Sequence, residues 1–86
     1  MNTPNKMTVF EKEKLSEVLD SLKDKIPSTF IARKKAPAVA GYSISAGTLA
    51  NLDSSGEGVE GRFYMNKTAC YPLDNFIAFL KKRAGL

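Results

Sequence analysis

Histidine is absent from this 86-residue sequence, and cysteine occurs once, at Cys70. Without an imidazole the commonest general acid–base group is missing, and no run of Cys, Asp or Glu at metal-ligand spacing replaces it. A lone cysteine closes no disulfide within the chain, so the expected setting is a reducing compartment, the cytoplasm. Long apolar runs are lacking too: the longest, Ala36 to Tyr42, falls far short of the ~20 residues that cross a bilayer. Gly56, Gly58 and Gly61 follow a helical pattern instead of a strand, and Glu57 and Glu60 beside them repel phosphate, which excludes a nucleotide-binding loop. These absences lead to the expectation of a protein that is not an enzyme, holds no metal or cofactor, takes no small-molecule substrate and enters no membrane.

What is present is an uneven charge. Up to Pro27 five lysines balance five acids, whereas from Ser28 onward eight Lys or Arg face four acids, so the whole net charge of +4 lies in the second part. Excess positive charge gathered in one region suits a polyanionic partner. A chain of this length folds as one domain that buries only ~60% of its unfolded surface, so a second copy is a natural source of further stability.

Thr8 and Glu11 have the spacing of a capping box, and Leu15, Val18, Leu19, Leu22 and Ile26 follow at helical period, with Lys23 and Lys25 at the end that favours cations. This predicts an amphipathic helix over residues 8–27, closed by Pro27, after a disordered tail at 1–7. Its stripe packs on the domain's own core or, through Leu15, Leu19 and Leu22, forms a seam with another copy. After an extended stretch at 28–31, a short helix is expected from near Arg33 to Ala40, with Gly41 as its left-handed exit; Pro37 requires that it start later than Arg33 or be distorted. Ser45 is a good N-cap for a further helix through Asp53, ending at Ser54-Ser55-Gly56. Two short helices across a tight glycine-containing turn make a helix-turn-helix pattern.

Arg62–Met65 and Thr68–Tyr71 are strand-like runs around Asn66-Lys67, hence a β-hairpin, and Asn66 suits the positive φ of such a turn. Leu73, Phe76, Ile77 and Leu80 then mark a closing helix with Pro72 in its first turn, Lys81, Lys82 and Arg83 at its end as solvated cations, and Gly85 beyond. Phe63, Tyr71, Phe76 and Phe79 are assigned to packing and Cys70 to a structural thiol. The expected fold is mainly α with a small β-hairpin, with residues 28–86 as a helix-turn-helix unit behind the first helix in one compact domain.

From Ile31 to Leu80 the landmarks resemble the excisionase and MerR-like winged helix-turn-helix family. The stretches that carry the resemblance are Ile44-Ser45-Ala46-Gly47-Thr48-Leu49, similar to the family's turn and start of recognition helix, and Tyr71-Pro72-Leu73-Asp74-Asn75-Phe76-Ile77-Ala78-Phe79-Leu80, similar to the tyrosine that ends the wing and the closing helix. The resemblance implies a recognition helix in the major groove of duplex DNA and a hairpin wing along the backbone or minor groove. Where relatives place an arginine early in that helix and a basic residue followed by tryptophan later, this chain has Gly47, Asn51 and Leu52.

On that reading Ser45, Ala46, Gly47, Thr48 and Asn51 are candidate base contacts: Thr48 and Asn51 share a face, an asparagine amide pairs bidentately with adenine, and Gly47 lets backbone come close. Arg33, Lys34, Lys35, Arg62, Asn66 and Lys67 are candidate contacts to the DNA backbone, which position without specifying. One copy covers a small site, so a homodimer or a cooperative array on the DNA is expected. The expected role is a small regulator of transcription or of site-specific recombination. The alternative is a protein-interaction module with a degenerate helix-turn-helix whose first helix recruits the partner.

Overall fold

The structure, a computed structural model, describes residues 8–26 and 28–86. The expected disordered tail at 1–7 and the helix stop at Pro27 lie outside the described residues. Helix α1 spans Val9–Lys25 and starts on the full capping box: the Thr8 hydroxyl accepts from the Glu11 N–H at 3.1 Å, and the Glu11 carboxylate accepts from the Thr8 N–H at 2.9 Å. The other elements are β1 (Phe30–Ala32), α2 (Ala36–Val39), α3 (Ala46–Ser55), β2 (Phe63–Met65), β3 (Thr68–Pro72) and α4 (Leu73–Arg83). The fold is thus mainly helical with a small antiparallel sheet, and no described helix is long and apolar enough to cross a membrane.

The sheet has three strands in the order β1-β3-β2, one more than the hairpin alone. The extended stretch before α2 pairs with β3, Ile31 opposite Tyr71 and Ala32 opposite Cys70. Because side chains alternate across a strand, Ile31 and Tyr71 point together into the core while Phe30, Phe63 and Cys70 share the other face. There Phe30 and Phe63 meet edge-on, ring centres 5.3 Å apart, and Cys70 is only 3% exposed. The buried thiol is a packing residue.

Helix α2 begins at Ala36, after Arg33, so Pro37 falls in the first turn, where its missing N–H breaks no helical bond. Gly41 (φ 64°) and Tyr42 (φ 61°) turn the chain toward α3. Ile44 and Leu49 of this region join Ile31, Ala36, Val59, Tyr71, Leu73, Phe76, Ile77, Phe79 and Leu80 in one core. Tyr71 stacks on Phe76 at 5.9 Å and Phe76 on Phe79 at 6.1 Å.

The apolar stripe of α1 belongs to that same core. Leu19 is buried, and Leu15, Leu22 and Ile26 pack against the cluster. Ion pairs Lys81–Asp20 at 2.6 Å and Lys23–Asp74 at 3.3 Å lie along the antiparallel run of α1 and α4. The expectation that Leu15, Leu19 and Leu22 meet another copy is corrected here: burial of apolar area within the chain has already engaged them. Lys81 is likewise no merely solvated cation, since Asp20 holds it. Exposed pairs of this kind contribute at most about 1 kcal/mol each, so the leucines, not the charges, hold α1 in place.

Candidate nucleic-acid interface

Helix α3 opens on Ser45, whose hydroxyl accepts from the Thr48 N–H at 3.1 Å and donates to Thr48 Oγ1 at 2.9 Å. Leu49 is fully buried and fixes which side of the helix faces in. The side facing out carries Gly47, Thr48 and Asn51, all exposed, and Ala46 is half-buried beside them. Among the described residues the Asn51 amide has no hydrogen-bond partner within the chain. No acid occurs between Asp24 and Asp53, so this outward face carries no negative charge of its own.

Two residues here are not what folding alone prefers. A Cβ at Gly47 would meet nothing closer than the Ser45 hydroxyl at 3.9 Å, so packing does not demand glycine, although alanine would favour the helix by up to about 1 kcal/mol. At the tip of the β2–β3 hairpin, Asn66 (φ 50°) and Lys67 (φ 66°) both adopt the left-handed region. Such a two-residue turn takes glycine most easily at its second position, and a side chain there costs about 1–2 kcal/mol. Lysine stands there instead, and it is exposed.

The residue that assembles the region is Asp53. Its carboxylate is 2% exposed and lies in the last turn of α3, the end at which a helix disfavours negative charge. Three hydrogen-bond donors and a further cation compensate it. The Tyr71 hydroxyl donates to Oδ2 at 2.6 Å, Arg33 Nη2 donates to the same oxygen at 2.7 Å, the Val59 N–H donates to Oδ1 at 3.2 Å, and Arg62 Nη1 stands 3.8 Å from Oδ2. Arg33 Nε also donates to Tyr71 Oη at 2.9 Å, closing a triangle between the turn after β1, α3 and β3. Burial, then the bond to Asp53, pushes the Tyr71 phenol up to about 12; the bonds to Tyr71 and Asp53 raise the Arg33 guanidinium above its usual range against the pull of desolvation.

The candidate residues therefore divide. Lys34, Lys35, Asn66 and Lys67 are exposed and Arg62 lies at the hairpin base, as an interface with phosphates requires. Arg33 differs: its guanidinium is turned inward onto Asp53 and Tyr71 and is engaged in holding the fold, which corrects its assignment as a backbone contact. Asp53 was missed in the sequence because the side chains that bond its carboxylate, Tyr71 and Arg33, lie 18 and 20 residues away. The available signal was an acid in the wrong end of a helix, which needs a cation brought from elsewhere.

Family models, curated proteins and solved structures give no match to this chain. Among the described residues no group of three or more Cys, Asp or Glu comes together as a metal site would require.

Proposed function

We propose that this chain is a small DNA-binding regulator whose α3 enters the major groove of duplex DNA as a recognition helix while the β2–β3 hairpin lies along the backbone as a wing. The observation that carries the reading is the pair Gly47 and Lys67, two exposed positions where the residue present is worse for folding than an available alternative. Such departures concentrate where a surface does work. At Gly47 the missing side chain allows backbone to approach a base edge, and at Lys67 a cation is offered from the hairpin tip. Asp53 supports the reading further by tying the hairpin base and the segment that leads to Lys34 and Lys35 onto the end of α3. The sequence resemblance to the excisionase and MerR-like family points to transcription or site-specific recombination as the process. Nothing in this role needs catalysis, metal or cofactor, and a basic chain with a single cysteine suits a cytoplasmic site.

Selection from a random duplex library, followed by anisotropy titration of the winning site, tests this. Affinity should fall steeply with salt as counterions are released. Asn51→Ala should cost about 1–3 kcal/mol of discrimination at one base pair, whereas Lys67→Gln should weaken all duplexes alike. Absence of duplex binding at low salt would remove the reading.

One observation favours a second reading, a protein-interaction module that recruits its partner through α1: Val9, Phe10 and Val18 are 73%, 69% and 58% exposed. In that case Phe10→Ser and Val18→Ser abolish function while Asn51→Ala and Lys67→Gln leave it intact. With Leu19 and Leu22 held in the core, this surface is smaller than the whole apolar stripe.

A further inference from the structure

The cluster around Asp53 treats its two arginines differently. Arg33 makes two short, directional bonds, to Asp53 at 2.7 Å and to Tyr71 at 2.9 Å, and its side chain is 22% exposed. Arg62 stands 3.8 Å from the same carboxylate, beyond hydrogen-bond range, with its side chain 35% exposed. Its guanidinium also lies over the Tyr64 ring, 5.9 Å from the ring centre, and Tyr64 itself is exposed on β2. Arg62 is held loosely, by charge and by a ring face, at the mouth of the cluster.

We propose that Arg62 is an exchangeable cation: it rests against Asp53 in the free protein and transfers to a phosphate oxygen when duplex DNA is bound, while Arg33 stays in place. The inference rests on the DNA-binding reading above. Its physical basis is the asymmetry of what each departure leaves behind. When Arg62 leaves, Asp53 keeps Arg33, the Tyr71 hydroxyl and the Val59 N–H, so the buried charge remains paired. When Arg33 leaves, a buried carboxylate loses its only close cation and Tyr71 loses a donor, which is the arrangement proteins avoid. A phosphate group, by contrast, offers Arg62 the short bidentate geometry through two oxygens that Asp53 does not give it. Resting against Asp53 also screens Arg62 in the free protein, so that its charge is presented fully only where a competing anion is near.

The experiment uses the whole chain and a fluorescein-labelled duplex of mixed sequence, with affinity measured by anisotropy across a salt series, together with nitrogen-correlated NMR of the arginine Nε–Hε groups. Arg62→Gln should reduce the slope of log affinity against log salt by about 0.9, the value of one phosphate contact on duplex DNA. On addition of duplex to the unaltered protein, the Arg62 Nε–Hε signal should move and that of Arg33, bonded to Tyr71, should not. The NMR measurement stands even if the substituted chain folds poorly. Duplex binding with an unchanged slope in Arg62→Gln and a stationary Arg62 signal, or with an Arg33 signal that moves, would overturn this proposal alone. No binding by the unaltered chain at low salt would overturn the DNA-binding reading and this proposal together.

Discussion

Replacing Asp53 by alanine tests the physical account of the fold most directly. The carboxylate is 2% exposed and its removal leaves Arg33 facing the Tyr71 ring without an anion, with the Val59 N–H and the Tyr71 hydroxyl each short of an acceptor. Breaking a buried ion pair from one side costs about 3–5 kcal/mol. Arg33 is 22% exposed and can turn partly to water, so the lower part of that range applies to the charge. The orphaned hydroxyl and amide add about 1 kcal/mol, giving a total of about 3–4 kcal/mol. A domain of 86 residues has roughly 4–13 kcal/mol in all, so the loss is a large share of it. Asp53→Asn can keep the acceptor at Oδ1 for the Val59 N–H but then presents an amide NH2 to the Tyr71 hydroxyl and the Arg33 guanidinium, and should fall between, near 2 kcal/mol. Urea denaturation followed by far-ultraviolet circular dichroism suits the measurement, since the chain has no tryptophan to report. The melting temperature of Asp53→Ala should drop by roughly 12–32 °C, at about 4–8 °C per kcal/mol for a domain of this size. A loss below about 1 kcal/mol, or equal stability in Asp53→Asn and the unaltered chain, would refute the claim that this carboxylate is what ties α3 to the sheet.

Two further outcomes follow from the same cluster. Tyr71 holds its proton more tightly folded than unfolded, so the unfolded chain ionises first; the stability this provides is intact below pH about 10 and falls by roughly 2–3 kcal/mol as pH rises to about 12. Urea midpoints measured across that window should decline in the unaltered chain and decline less in Tyr71→Phe; parallel curves would contradict the assignment. At Gly58 a Cβ would collide with the Asp53 carboxylate and approach its Cα to 2.8 Å, so Gly58→Ala should destabilise by about 1–3 kcal/mol, whereas Gly47→Ala, with open space around it, should be neutral or stabilising in the same denaturation assay and harmful only to DNA binding. Equal effects of the two alanines on stability would sink this contrast.

Much of the chain is written locally. Thr8 with Glu11, Ser45 before α3, Gly41 and Gly56 after the helices that precede them, and Asn66 in the hairpin turn each act on backbone groups within a few residues, and the structure uses each of them so. Likewise the spacing of Leu15, Leu19 and Leu22 marks one face of a helix whatever lies opposite. Which surface covers that face is a different kind of fact: the leucines suit α4 of the same chain as well as a second copy, and only the tertiary arrangement assigns them to α4. The same holds for the pairing of β1 with β3, and for the meeting of Arg33 with Asp53 and Tyr71 across 20 and 38 residues of sequence. Caps, turns and periodicity are decided by neighbours along the chain, because the hydrogen bonds that make a cap or a helical turn reach only a turn away. A buried charge is decided by whatever else is brought into the same small volume, and that depends on the whole fold at once.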